Sequence, residues 1–151
     1  MPSFCFDKSN AFKQTWFYST LNGSWREAPE MLQERYDHGC SSFWLNGIQI
    51  AVVSPGYPNK GKSVEFLNLQ QEPLQWISGP DLTDEYNLTG SALVSNGETL
   101  FYVNTINNVF LQLICEASLE DCHWKTLASR LQDSRYGAFV TLIPDSLANC
   151  S

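Results

Sequence analysis

Short runs of alternating apolar and polar residues, separated by turn chemistry, dominate this chain. Over 12–20, Phe12, Trp16 and Tyr18 fall on one parity and Thr15, Phe17 and Ser19 on the other, which predicts a strand. Leu21-Asn22-Gly23-Ser24 has the chemistry of a turn. Trp25 to Glu34 reads as a polar, proline-containing connection. A strand is predicted over 35–45, and Asn46-Gly47 is a strong hairpin signal behind it. Ile48 to Val53 is β-branched and nearly all apolar, as expected of a strand buried on both faces. Ser54 to Lys62 carries two Pro and two Gly and is expected to be a loop. Alternation over 63–69 predicts a third strand, 70–74 a turn, and 75–77 a short fourth strand.

The pattern then recurs. A strand is expected over 88–95, and Asn96-Gly97 repeats the Asn46-Gly47 pair 50 residues later. Thr99 to Val103 matches Ile48 to Val53, 109–114 takes the place of the third strand, and 123–125 that of the fourth. Another leading strand is predicted over 136–143. Trp25, Trp76 and Trp124 mark the same point of each unit, spaced by 51 and 48 residues. A repeat of about 50 residues implies stacked or radial sheet units. At matched positions the three indoles are expected to be structural, packed in a repeated core. Helical periodicity competes over no long window, and 119–131 offers a turn or two at most.

Residues 35–82 resemble a kelch repeat, the four-stranded blade of a β-propeller. The resemblance lies in Arg35-x-x-His38, in Asn46-Gly47 before an apolar strand, in Ser63-Val64-Glu65-Phe66, and in Trp76 followed by Gly79-Pro80. Residues 83–135 resemble it more loosely, chiefly over 88–135. Residues 1–34 and 136–151 fit as a partial preceding blade and as the leading strand of a further blade with a C-terminal tail. The double glycine usual after the second strand of such repeats is replaced by Ser54-Pro55-Gly56 and by Asn104-Thr105. The resemblance implies an all-β fold of kelch-type propeller blades, each of four antiparallel strands. About six blades close the typical kelch ring, so roughly three make an incomplete propeller. It further implies a non-enzymatic protein–protein interaction module, part of a larger propeller or closed by self-association. The alternatives are a secreted or cell-surface protein that recognises carbohydrate or another ligand, and a fragment of a propeller enzyme.

Composition narrows the partners. The formal charge is −7, from 9 basic and 16 acidic residues, with no Lys/Arg cluster. Phosphate neutralisation supplies most non-specific nucleic-acid affinity, so neither nucleic acid nor an anionic membrane is an expected partner. No apolar run approaches the length of about 18 residues that spans a bilayer. Five cysteines cannot all pair internally. Cys115 and Cys122 flank a short polar segment and are a candidate disulfide if the protein is exported, whereas Cys40 is expected to be a small core residue. Asn22, Asn87 and Asn149 head Asn-x-Ser/Thr sequons, the first two being the candidate glycosylation sites. Residues 1–8 lack the basic start and apolar core of a signal peptide. The expected setting is cytoplasmic for the chain as it stands, and secreted or extracellular if it is part of something longer.

Few residues carry candidate chemistry. His38, beside Asp37 and Tyr36, has the type of an acid–base or metal-ligating group, but its place in the kelch-like start makes it structural. Cys-x6-Cys-His at 115–123 is no zinc pattern. Nothing selects a carboxylate pair from Asp37, Glu65, Asp81, Asp84 and Glu85, and no nucleophile elbow, phosphate loop or dinucleotide fingerprint is present. No catalytic residue, cofactor or metal is therefore expected. The candidate partner-binding residues are Arg35 and Arg135, each just before a unit's first strand, Trp44 before its turn, and Tyr57 and Lys60 in the 54–62 loop.

Overall fold

A computed structural model describes residues 11–58, 61–83 and 91–128. These contain ten strands: β1 (Thr15–Ser19), β2 (Ser24–Ala28), β3 (Cys40–Leu45), β4 (Ile48–Val53), β5 (Glu65–Asn68), β6 (Trp76–Ser78), β7 (Ser91–Ser95), β8 (Leu100–Asn104), β9 (Val109–Ile114) and β10 (His123–Thr126). They form three antiparallel sheets: β1-β2, β3-β4-β5-β6, and β7-β8-β9-β10. Every connection within a sheet joins neighbouring strands, as in a meander.

The sheets stack face to face, and alternation along each strand decides which residues enter which core. Phe43, Ile50, Val52 and Phe66 of the second sheet meet Leu93, Leu100, Tyr102, Leu111, Leu113 and Trp124 of the third in one apolar core. The opposite face of the second sheet buries Val53, Leu67 and Trp76 with Met31, and Phe17 of β1 packs against them. β4 thus feeds both cores, Ile50 and Val52 to one and Val53 to the other, as its apolar sequence predicts. Where β3 crosses the third sheet, the Trp44 amide donates to the Gly97 carbonyl.

The two Asn-Gly pairs differ. Asn46 and Gly47 both have positive φ, 52° and 80°, and connect Leu45 directly to its partner Ile48. That is the two-residue turn whose twist suits a hairpin. In the third sheet Ser95 pairs with Leu100, so four residues make the connection, and Asn96 Oδ1 accepts bonds from the Glu98 and Thr99 amides. The equivalence of the two pairs therefore does not hold face by face. Ile50 and Leu100, 50 residues apart, point into the same core from opposite sheets.

Two boundaries depart from the sequence reading. Residues 24–28 form strand β2, because the turn at 20–23 returns the chain along β1 in register. The strand expected over 35–45 begins only at Cys40; Arg35 and Tyr36 make isolated bridges to Phe12 and Tyr57. Gly56 lies against this stretch, and a Cβ there would sit 2.6 Å from the Tyr36 carbonyl oxygen and 2.9 Å from His38 Cβ. Cys40 is exposed rather than in the core. The strand expected over 136–143 lies outside the described residues.

Candidate interaction surface

The sheets are tied by a repeated hydrogen bond. The indole of Trp76, on β6, donates to the Pro29 carbonyl, which follows β2, at 2.9 Å. The indole of Trp124, on β10, donates to the Pro80 carbonyl, which follows β6, at 2.9 Å. In each case the last strand of one sheet reaches back to the chain leaving the previous sheet. Both indoles are buried, which makes their N–H groups costly to leave unpaired.

Trp25 occupies the same place on β2 but is 52% exposed, which overturns the expectation of a third buried tryptophan. The physical reason lies in the stacking order. Phe17 faces the second sheet, so the alternate residues of β1 point away from it. Those are Trp16 and Tyr18, at 50% and 46% exposure. Trp25 is the cross-strand partner of Tyr18, with ring centroids 4.9 Å apart. Glu27 pairs with Trp16 on the same face. The result is an aromatic sheet face open to solvent. On the inward side the Arg26 guanidinium sits 4.5 Å from the Phe17 ring centroid, where it covers the edge of the core. Parity alone places Trp16 and Tyr18 on one face of this strand, but it does not say which face is left open.

Arg35 is not a surface contact. It is 4% exposed, and its guanidinium donates to the carbonyls of Ser54 and Ser63, to Ser63 Oγ, and to Glu65 Oε1. Glu65 is equally buried and also accepts the amides of Leu32 (2.7 Å) and Gln33 (3.0 Å). The pair locks the 29–35 connection onto the start of β5, an interior strand of the second sheet. Its charges compensate each other, so the partner-binding role expected of Arg35 is replaced by a structural one. Glu65 was missed as a buried anion, because alternation alone places a residue on a face without saying that a guanidinium waits there.

His38 sits beside this pair. Burial, and then the Arg35 charge, push its pKa from 6.5 to about 4, against the opposing pull of Glu65 and Asp37. The unfolded chain, titrating near 6.5, takes up the proton first. The stability gained by keeping His38 neutral is fully present above pH 6.5 and is lost as pH falls towards 4. Urea midpoints taken from pH 7 to pH 4 are expected to fall more steeply for the native chain than for His38→Gln; parallel slopes would refute this.

The other candidates scatter. Trp44 is 47% exposed on β3. Tyr57 is half-buried and stacks on Tyr36, centroids 5.5 Å apart, so it is held rather than free to swing outward. Lys60, Arg135 and Asn87 lie outside the described residues. Among the described residues no group of three His, Cys, Asp or Glu side chains could hold a metal. They also include no helix long and apolar enough to cross a membrane.

Cys115 and Cys122 form a disulfide across the loop between β9 and β10. Both pack at the rim of the first core, beside Leu119. Closing so short a loop is worth roughly 2–3 kcal/mol on the chain-entropy account. The double variant Cys115→Ser/Cys122→Ser is expected to lose about that much stability by urea titration. An unchanged midpoint would mean that the bond carries none of it.

Comparison with protein-family models and with curated proteins finds no match for this chain. The described residues define a class: an all-β arrangement of three stacked antiparallel sheets, two of them four-stranded and similar to each other.

Proposed function

We propose that this chain is a non-enzymatic protein-interaction module built from kelch-like repeats, part of a larger propeller or closed by self-association. One observation carries the reading. Two sheet faces that bear a matched tryptophan are covered by the preceding sheet, and the third, bearing Trp16, Tyr18 and Trp25, is open. Exposed aromatic patches of this kind mark protein contact sites. The occupant that fits is another β-sheet with an apolar face and a carbonyl within reach of the Trp25 indole. That is what the second sheet receives from the first and the third from the second.

The test is solution mass by light scattering across a concentration series, for the chain and for a Trp16→Ser/Tyr18→Ser/Trp25→Ser variant. Association that the triple variant abolishes supports the reading. A chain that stays monomeric throughout, or that associates equally well without the three aromatics, overturns self-association through this face. Trp44 lies on a different sheet, and Trp44→Ala is expected to leave such association unchanged.

A second reading has its own support. Disulfides persist in oxidising compartments, and Cys115–Cys122 favours a secreted or cell-surface recognition protein. The two readings are compatible, since one concerns the setting and the other the partner.

A further inference from the structure

We propose that Asn22 carries an N-linked oligosaccharide. The inference rests on the extracellular reading just given and not on the protein-binding one, and different measurements test the two. Asn22-Gly23-Ser24 forms the tip of the β1–β2 hairpin, where every residue from 21 to 27 is exposed and Leu21 stands almost wholly in solvent. Sequons of this type are acceptors when they lie on surface loops of secreted proteins.

The local geometry is particular. Asn22 Oδ1 accepts the Ser24 amide at 3.1 Å and the Ser24 hydroxyl at 2.7 Å, so the two side chains that define the sequon already touch. Gly23, at φ +67°, closes the turn with its amide on the Ser19 carbonyl. Asn22 is exposed, and the hydrogen bonds its side chain makes to Ser24 are through Oδ1, not through Nδ2, the atom that would be modified. A sugar there displaces no contact of the fold.

The Cys115–Cys122 disulfide points to the same compartment. Ser19 and Ser24 share a shallow cleft with Leu69 and Leu74 of the β5–β6 turn. Gln70 in that turn donates to the Gly47 carbonyl, and Asn46 donates to the Ala117 carbonyl of the disulfide-closed loop. The hairpin tip and the Cys115–Cys122 bond therefore lie at one end of the sheet stack. The compartment that oxidises those thiols is also the one in which sequons are glycosylated.

The step needs a donor of one class, an oligosaccharide linked to a lipid through a diphosphate. The bond from Asn22 Nδ2 to the first sugar carbon forms as that carbon's bond to the diphosphate oxygen breaks. The lipid diphosphate leaves with the electron pair, and the amide loses one proton. Nothing is oxidised or reduced.

The experiment expresses the full chain behind a cleavable leader in animal cells, with a C-terminal tag bearing its own sequon to report delivery to the lumen. Asn87→Gln and Asn149→Gln leave Asn22 as the chain's own sequon. This chain should run one glycan step above Asn22→Gln and above Ser24→Ala, while Ser24→Thr keeps the step. Peptide N-glycosidase should remove it and leave aspartate at position 22 in the peptide mass. A glycosylated tag with position 22 unmodified would overturn the proposal. The readouts use denatured chain, so a variant that misfolds still reports.

Discussion

Replacing Trp124 with alanine will cost the fold about 3–5 kcal/mol, the usual range for a buried tryptophan. Trp25→Ala will cost less than about 0.5 kcal/mol, as surface changes do. The two residues hold matching places in the sequence, but Trp124 fills the core between the second and third sheets while Trp25 faces solvent. Trp124 also satisfies the Pro80 carbonyl, so Trp124→Phe, which keeps most of the bulk, should still lose about 1 kcal/mol for the unmade bond. Urea titration followed by far-ultraviolet circular dichroism reads all three. Equal losses for Trp25→Ala and Trp124→Ala would mean that the open aromatic face is covered in solution. That result would bear directly on the association proposed for it.

The second large effect lies at Glu65. Glu65→Ala is expected to destabilise the chain by roughly 3–5 kcal/mol, because it strands the buried Arg35 guanidinium without a counter-charge. It also removes the acceptor for the Leu32 and Gln33 amides, which frees the connection into the second sheet. The double variant Arg35→Met/Glu65→Leu separates the two contributions. If the cost is mainly the uncompensated charge, the double variant will be more stable than Glu65→Ala alone. If the cost is mainly the loss of the amide acceptor, it will be no better. Limited proteolysis near 29–35 distinguishes a loosened connection from a globally weakened fold.

Much of the fold is legible in the sequence, and the reasons are local. Ile48–Val53 and 109–114 are found where alternation and β-branching place them, because those signals come from side chains that must fill a core. Asn46-Gly47 forms the tight turn expected of it, because few other dipeptides accept positive φ at two successive positions. The candidate surface is less legible. Trp25 has the same spacing as Trp76 and Trp124, but burial depends on what lies across the face, which its own segment does not encode. Arg35 has the look of an exposed cation until Glu65 appears 30 residues later as its partner. Residues 24–28 hide a strand because, where one face of a sheet is exposed, its strands need not be apolar on both sides.

The tryptophan-to-proline bond gives the stack a direction. Each of the two buried indoles reaches towards the sheet on its N-terminal side, so the two faces of the second sheet are chemically unlike: one sends an indole N–H to its neighbour, and the other presents the carbonyl that receives one. A two-fold dimer that pressed two Trp25 faces together would set donor against donor, without the proline carbonyl that Trp76 and Trp124 each meet. Growth by this rule is head-to-tail, and a head-to-tail series either closes as a ring or runs on as a filament. The geometry between successive sheets, rather than the strength of any one contact, would choose between them.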